Sequence, residues 1–357
     1  MKKTTSPDSR SLPFSQRILK WFDQHGRKDL PWQLNPTPYR VWVSEIMLQQ
    51  TQVKTVIPYY MKFIARFPDV DNLANTSIDE VLHHWSGLGY YARARNLYKT
   101  AGVISQQFNS KFPETLDELV ELPGIGRSTA AAILSLAYGQ QQTILDGNVK
   151  RVLARHEAIV EWTGKTSTLK KLWKIAEDYT PANRTASYNQ AMMDLGATLC
   201  TRTKPTCESC PVTEDCLALE NQLVDSLPAS KPKKKLPERN TIMLIIKKDT
   251  DLLLERRPSS GIWGGLWSFP EIDSLDELDQ HCRQHWGLDV QSQDTVETWS
   301  HTFSHYRLNV KPYIVEVLSG SPLVMDTDRY IWYNSNHINK LGLAAPVKRI
   351  LKSSSAK

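Results

Sequence analysis

The chain has 357 residues, 40% of them hydrophobic, and a formal net charge of +6. That length allows two domains of ordinary size, and the mild positive balance suits a polyanionic partner without requiring one. No apolar run approaches the roughly 20 residues of a membrane span, and the opening MKKTTSPDSRSLPFSQRILKWF lacks the apolar core of an export signal, so the expectation is a soluble intracellular protein.

Residues 14 to about 220 read as helical. Phe14–His25 has the apolar spacing of an amphipathic helix. Leu30-Pro31-Trp32 is a turn, and Tyr39–Lys54 reads as a second helix carrying Glu45 among Val41, Trp42, Val43, Ile46, Met47 and Leu48. A carboxyl in that company is expected to be substantially buried, and burial disfavours its charged form. Further helical pieces follow over 53–67, 78–87 and 92–108, punctuated by Pro58, Pro68, Gly87 and Gly89.

Glu121–Arg151 is the stretch around which the half is organised. Leu122-Pro123-Gly124-Ile125-Gly126 is a tight turn opening an apolar helical run to Tyr138. A Gly-rich turn into a helix N-terminus presents backbone N–H groups to an anion, most often a phosphate. After a polar loop comes Asp146-Gly147-Asn148, and then a helix bearing Lys150 and Arg151. An Asp before a helix is commonly its cap, and the N–H donors and dipole there favour the ionised carboxylate. Helices over 168–179 and 187–199 complete the half.

Four of the five cysteines then crowd together. Cys200, Cys207, Cys210 and Cys216 are spaced C-x6-C-x2-C-x5-C, whereas Cys282 stands alone as an ordinary helix residue. Thiols at such short range, in a chain without an export signal, converge on a metal; zinc and an iron–sulfur cluster are both served by four thiolates. The basic Arg202 and Lys204 lie in the loop.

A Pro- and Lys-rich stretch over 226–240 reads as an extended linker. Beyond it the character changes. Thr241–Ile246 and Leu252–Glu255 flank a Lys-Lys-Asp-Thr-Asp turn in the manner of a hairpin; Gly261–Pro270 is a Gly/Trp loop; Ser274–Trp286 is helical; Val296–Phe303, Tyr306–Leu318 and Tyr330–Tyr333 read as strands; and Ala345–Leu351 is a closing helix. The organisation is thus a helical domain over 1–225, a linker over 226–240 and a small α+β domain over 241–357.

Several of these motifs together resemble one family. The cysteine spacing is similar to the 4Fe–4S loop of the endonuclease III superfamily of DNA glycosylases, Leu122–Gly126 to its helix-hairpin-helix turn, and Asp146-Gly147-Asn148-Val149 to the aspartate loop after it. Within the superfamily, Val43–Gln52 resembles the glutamate helix of the adenine DNA glycosylases of the MutY type, and Gly87–Arg95 their DNA-wedging loop. The resemblance covers residues 14–220 strongly and 240–350 loosely. It implies an all-α helix-hairpin-helix glycosylase domain with a 4Fe–4S cluster, joined to a Nudix-like α+β domain.

The same resemblance assigns roles. Glu45 protonates the departing adenine at N7, a contribution of about 10²–10⁴-fold for a positioned acid, and later activates water. Asp146 stabilises or captures the oxocarbenium-like sugar, and Asn148 orients Asp146 or the water. Two carboxyls with divergent pKa values are the expected division of labour. Leu122, Gly124, Gly126 and Ser128 belong to the DNA grip, Gln50 and Tyr90 wedge into the gap left by the flipped base, and Trp32 lines the base pocket. Ser128 stands where bifunctional relatives carry a Schiff-base lysine, which implies a monofunctional hydrolase, since a hydroxyl forms no imine. In the second domain Phe303-Ser304-His305 resembles the loop that probes 8-oxoguanine, while SLDELDQHCRQHW lacks the REXXEE core of a working Nudix hydrolase. The implied partner is duplex DNA with adenine opposite 8-oxoguanine or guanine, bound by a monomer and away from any membrane. The competing expectations are a pyrimidine glycosylase with lyase activity, a non-catalytic binder of damaged DNA and a nucleotide pyrophosphohydrolase.

Overall fold

The computed structural model describes residues 12–231, 236–276, 278–295, 297–303, 305–320, 329–334 and 341–354. They fall into two compact units. One holds Met1–Asn75 and Asn96–Pro232, the other Thr76–Arg95 and Lys233–Lys357. The second unit therefore takes in a stretch from the middle of the helical half as well as the residues after the linker.

The helices of the N-terminal half are α1 (Phe14–His25), α2 (Pro38–Leu48), α3 (Val53–Arg66), α4 (Val70–Ala74), α5 (Ile78–Trp85), α6 (Ala92–Gln107), α7 (Leu116–Val120), α8 (Arg127–Tyr138), α9 (Gly147–His156), α10 (Thr166–Tyr179), α11 (Thr185–Thr198) and α12 (Leu217–Glu220). Their starts follow local chemistry. The hydroxyl of Thr37 accepts from Arg40 N at 3.2 Å with Pro38 in the first turn, and Ser77 and Thr115 cap α5 and α7 in the same way. The core of the first unit gathers Ile18 and Phe22 of α1, Ala131 and Ala132 of α8, Val152 and Leu153 of α9, and Ala191, Met192 and Leu195 of α11. The single helix expected over Tyr39–Lys54 is two. Gln50 sits at φ +56°, in the left-handed region, and ends α2 two residues after Leu48.

The second unit is built on a mixed sheet: β1 (Glu238–Lys248), β2 (Asp251–Arg256), β3 (Trp267–Ser268), β4 (Glu271–Ile272), β5 (Asp289–Thr295), β6 (Trp299–Thr302), β7 (Arg307–Ser319) and β8 (Tyr330–Asn334). The order is β3-β2-β1-β7-β5, with β4 on β1, β6 on β7 and β8 on β2. β1 and β7 are parallel over Glu238–Lys247, while the expected β1–β2 hairpin turns through Asp249 at φ +54°. Helix α13 (Leu278–Trp286) lays Leu278, Cys282 and Trp286 on the sheet, so Cys282 is a core residue, and α14 (Ala345–Ser354) closes the chain. Strand β5 was not visible in the sequence: in DVQSQDT only Val290 is apolar, and the strand takes its place by pairing with β7.

Candidate active site

Glu45 sits on the second turn of α2, and its sequence neighbours Val41, Trp42, Val43, Ser44, Ile46 and Met47 are all buried. The residue itself keeps partial exposure, so its carboxyl is surrounded by protein yet remains reachable. Burial, and secondarily the charge on Asp146, push its pKa up to about 8. At neutral pH the group is chiefly a protonated acid, as the sequence reading expected. The charge of Asp146 acts on Glu45, so the two carboxyls, a hundred residues apart in the chain, lie within electrostatic reach of each other.

Asp146 is the N-cap of α9. Its Oδ1 accepts from Val149 N at 2.8 Å and its Oδ2 from Asn148 Nδ2 at 3.2 Å. Those donors, with the nearby Arg151 guanidinium, pull its pKa down, but burial outweighs them and the net direction is upward. The sequence reading weighed only the cap and the dipole; the low-dielectric surroundings set the sign. Both carboxyls are therefore raised by burial, and a negative charge on Asp146 adds to the rise at Glu45.

Asn148 is held in turn. Arg151 Nη2 donates to Asn148 Oδ1 at 2.9 Å and to Gly196 O at 2.7 Å, and Arg151 Nε donates to Cys200 O at 2.7 Å. A continuous chain of hydrogen bonds thus runs from Asp146 through Asn148 and Arg151 to the first cysteine of the loop. Gly196 makes the close approach of α11 to α9 possible: a Cβ there would lie 2.6 Å from Asn148 Cβ.

The hairpin turn is pinned from behind. Thr100 Oγ1 donates to Pro123 O at 2.8 Å, and a Cβ on Gly124, whose φ is +81°, would lie 2.8 Å from Asn96 Cβ. Only glycine satisfies both the left-handed backbone and that contact. Gly126 is the N-cap of α8 with no side-chain cap, which leaves the first-turn N–H groups turned to an exposed surface. Leu122 points the other way, into the core, so any DNA contact from it is through its backbone. Ser128 is also turned inward: its hydroxyl accepts from Leu145 N at 3.1 Å, bracing the loop that leads to Asp146.

Gln50 and Tyr90 are exposed and both lie at positive φ, +56° and +49°. Non-glycine residues held there are strained, and such strain gathers where a chain meets its ligand. Trp32 is buried edge-on against Tyr60, ring centroids 5.4 Å apart. Phe303 stacks among Trp263, His301 and Tyr306, with His305 against Tyr306, and Ser304 lies outside the described residues.

Sequence reasoning missed one buried charge. Asp194 of α11 is fully buried and accepts from Arg27 Nη2 at 2.6 Å, from Arg27 N at 2.8 Å and from Gln190 Nε2 at 2.9 Å. The signal was available: an Asp in the apolar run Ala-Met-Met-Asp-Leu demands a cation, and only the fold shows that Arg27 supplies it.

Cys200, Cys207, Cys210 and Cys216 line one cavity, walled by Val152, Leu199 and Val212 and closed by Arg155. Arg155 is buried and ties the loop at three points, to Cys200 Sγ at 3.4 Å, Thr201 O at 2.7 Å and Arg202 O at 3.2 Å, and joins it to Leu227 O at 2.8 Å. Burial pushes Cys210 up to about 12 and raises Cys207 and Cys216 as well. Among the described residues no three metal-ligating side chains gather at the spacing of a single bound ion. Four thiols lining one cavity with an apolar wall are a donor set that sulfur-liganded zinc and an iron–sulfur cluster both fit.

Residues 43–178 match the model of the HhH-GPD superfamily base excision DNA repair proteins, and residues 241–353 that of the NUDIX domain. Fold and site thus define a helix-hairpin-helix base excision repair protein with a C-terminal Nudix domain. The chain is 40% identical over 95% of its length to an adenine DNA glycosylase of Buchnera aphidicola, covering 97% of it, and 32% identical to the human adenine DNA glycosylase, covering 73% of it. It belongs to the adenine DNA glycosylase family and is a hydrolase acting on N-glycosyl bonds. Its helical part is similar to a thermostable thymine-DNA glycosylase, at a TM-score of 0.52 and 28% identity over 60% of this chain and 97% of that one. An endonuclease III from a DNA complex shares the fold, at a TM-score of 0.50 and 20% identity over 58% of this chain and 94% of that one. Among the described residues no helix is long and apolar enough to cross a membrane.

Proposed function

We propose that this enzyme is a monofunctional glycosylase that removes adenine lying opposite 8-oxoguanine or guanine in duplex DNA, acting as an intracellular monomer. The observation that carries the proposal is the unequal carboxyl pair: Glu45 held up to about 8 by burial and by the charge of Asp146. Glu45 gives its proton to the base, which then departs as a neutral leaving group rather than an anion. Asp146, as a carboxylate, stands by the sugar as positive charge develops on it, and Asn148 fixes its orientation. Glu45, now a carboxylate, takes a proton from the water that completes hydrolysis.

The other residues take supporting roles in the same reading. The turn Leu122–Gly126 grips phosphate through backbone N–H groups, Gln50 and Tyr90 fill the gap left by the flipped adenine, and Trp32 lines its pocket. Phe303, Ser304 and His305 read the opposing base. The four cysteines hold a 4Fe–4S cluster, which would supply a cross-link closing the loop and presenting Arg202 and Lys204 to the backbone. Ser128, engaged with Leu145 N, offers no amine for a Schiff base.

The test is a duplex labelled on the adenine strand. Incubation with enzyme should leave the strand intact until alkali is added, and alkali should then cleave it at the adenine. Strands that survive alkali would refute adenine excision; cleavage without alkali, with a borohydride-trapped adduct, would replace the hydrolase with a lyase.

A further inference from the structure

The stretch Thr76–Arg95 carries the exposed Tyr90, and it is grouped with the sheet-bearing unit rather than with the helices that flank it in sequence. Its attachment is specific. Asp79, in the first turn of α5, accepts from Arg256 of β2 and from Trp267 Nε1 of β3 at 3.3 Å, while the Arg256 guanidinium lies 4.8 Å over the Trp267 ring. One turn on, Leu82 is fully buried: a Cβ on Gly342 would fall 2.7 Å from Leu82 Cβ and 2.9 Å from Leu266 Cδ2. His83 Nδ1 reaches Leu341 O at 3.3 Å, Ser86 Oγ donates to Leu343 O at 3.4 Å, and Arg95 donates to Gly264 O.

From α5 the grip passes to Tyr90 itself. Trp85 Nε1, at the end of the helix, donates to Gly89 O at 3.2 Å, and so does Arg93 Nη2 at 3.2 Å. The Arg93 guanidinium lies 5.4 Å over the Trp85 ring and 5.5 Å over the Tyr90 ring. Leu88 N bonds to Trp85 O at 3.1 Å, and Gly87 and Gly89 supply φ of +115° and +73°. Tyr90 is therefore a strained, exposed side chain whose backbone is fixed to α5, and α5 is locked to the sheet through Asp79.

We propose that Thr76–Arg95 is a lever by which the sheet-bearing unit sets the position of the Tyr90 ring, with Asp79 as the positioning residue that joins the lever to the sheet. This rests on the reading that the same unit inspects the base opposite adenine. A displacement of the sheet on meeting that base is carried by a short rigid helix to the side chain that enters the duplex. Asp79 touches neither DNA nor the reacting atoms; it acts through Tyr90, and so the effects of the two must not multiply.

The experiment is a double-mutant cycle on the full-length enzyme with Asp79→Ala, Tyr90→Ala and the pair. The readout is the ratio of single-turnover excision rates for adenine opposite 8-oxoguanine and opposite guanine. Each single change should lower that ratio about tenfold, and the pair no further than Tyr90→Ala alone. Excision opposite guanine should be nearly unchanged in Asp79→Ala. The milder Trp267→Phe, which removes one donor to Asp79, should lower the ratio in the same direction and guards against a variant that fails to fold. A ratio retained in both Asp79→Ala and Trp267→Phe overturns the lever, as does a double variant that loses the product of the two single effects. A wild-type ratio near one would instead overturn the opposing-base reading, and the lever with it.

Discussion

At the scale of the residue, the chemistry depends on one carboxyl keeping its proton at neutral pH. Because Glu45 titrates near 8 and must be protonated to act, kcat/KM should fall above that pH with an apparent pKa close to it. The rising limb belongs to Asp146, whose pKa also lies above the ordinary value for Asp. A conventional carboxylate at Glu45 would place the fall near 4 instead. The same shift bears on stability. A carboxyl raised on folding contributes most below its unfolded pKa of about 4.3, and the contribution is lost as pH rises through the folded value. Glu45→Gln removes that loss. Its melting temperature should therefore gain on the wild type between pH 5 and pH 8 and stay parallel above that; a constant offset would show that Glu45 is solvated. The sequence showed this residue well, since its neighbours on α2 are aliphatic or aromatic. It did not show the sign of the shift at Asp146, because burial of that carboxyl is a property of tertiary packing.

At the scale of the element, the site depends on how closely α9 and α11 pass. Gly196 lets Asn148 sit against α11, where Arg151 joins Asn148, Gly196 and Cys200. Gly196→Ala gains helix propensity but puts a methyl 2.6 Å from Asn148 Cβ. The overlap should win: about 1–3 kcal/mol of stability lost, seen as a lower melting temperature, with adenine excision reduced further as Asn148 is displaced. An unchanged melting temperature would mean that the two helices part without cost. Elements with strong periodicity were legible to within a few residues, as with α1 and α10. Short ones were not. Helices α4 and α7 have five residues each, too few to display a period, and β5 carries no apolar alternation. The break after Leu48 was missed because a left-handed Gln50 leaves no trace in composition.

At the scale of the whole molecule, chain order and spatial grouping diverge. The character of the sequence changes across the stretch 226–240, and β1 already begins within it at Glu238, yet Thr76–Arg95 also joins the sheet-bearing unit. Nothing in those twenty residues announces the attachment, because an Asp and a Leu on a short amphipathic helix suit any neighbour. The candidate site was more legible than this arrangement, since its residues fall in spaced motifs: the glutamate helix, the Gly-rich turn, the aspartate loop and the four cysteines. What the sequence withheld was the bridging chemistry, above all Arg151 between Asn148 and Cys200 and Arg155 across the cysteine cavity. Long guanidinium side chains choose partners far off in the chain.

The most direct measurement is single-turnover release of adenine from a duplex holding it opposite 8-oxoguanine, comparing wild type with Glu45→Gln at equal DNA occupancy. The amide keeps the size of the side chain and removes the transferable proton. The account predicts unchanged binding and a rate lower by at least about 10²-fold. Release at the wild-type rate by Glu45→Gln would take the acid role from Glu45 and leave the raised carboxyl without a part in the reaction.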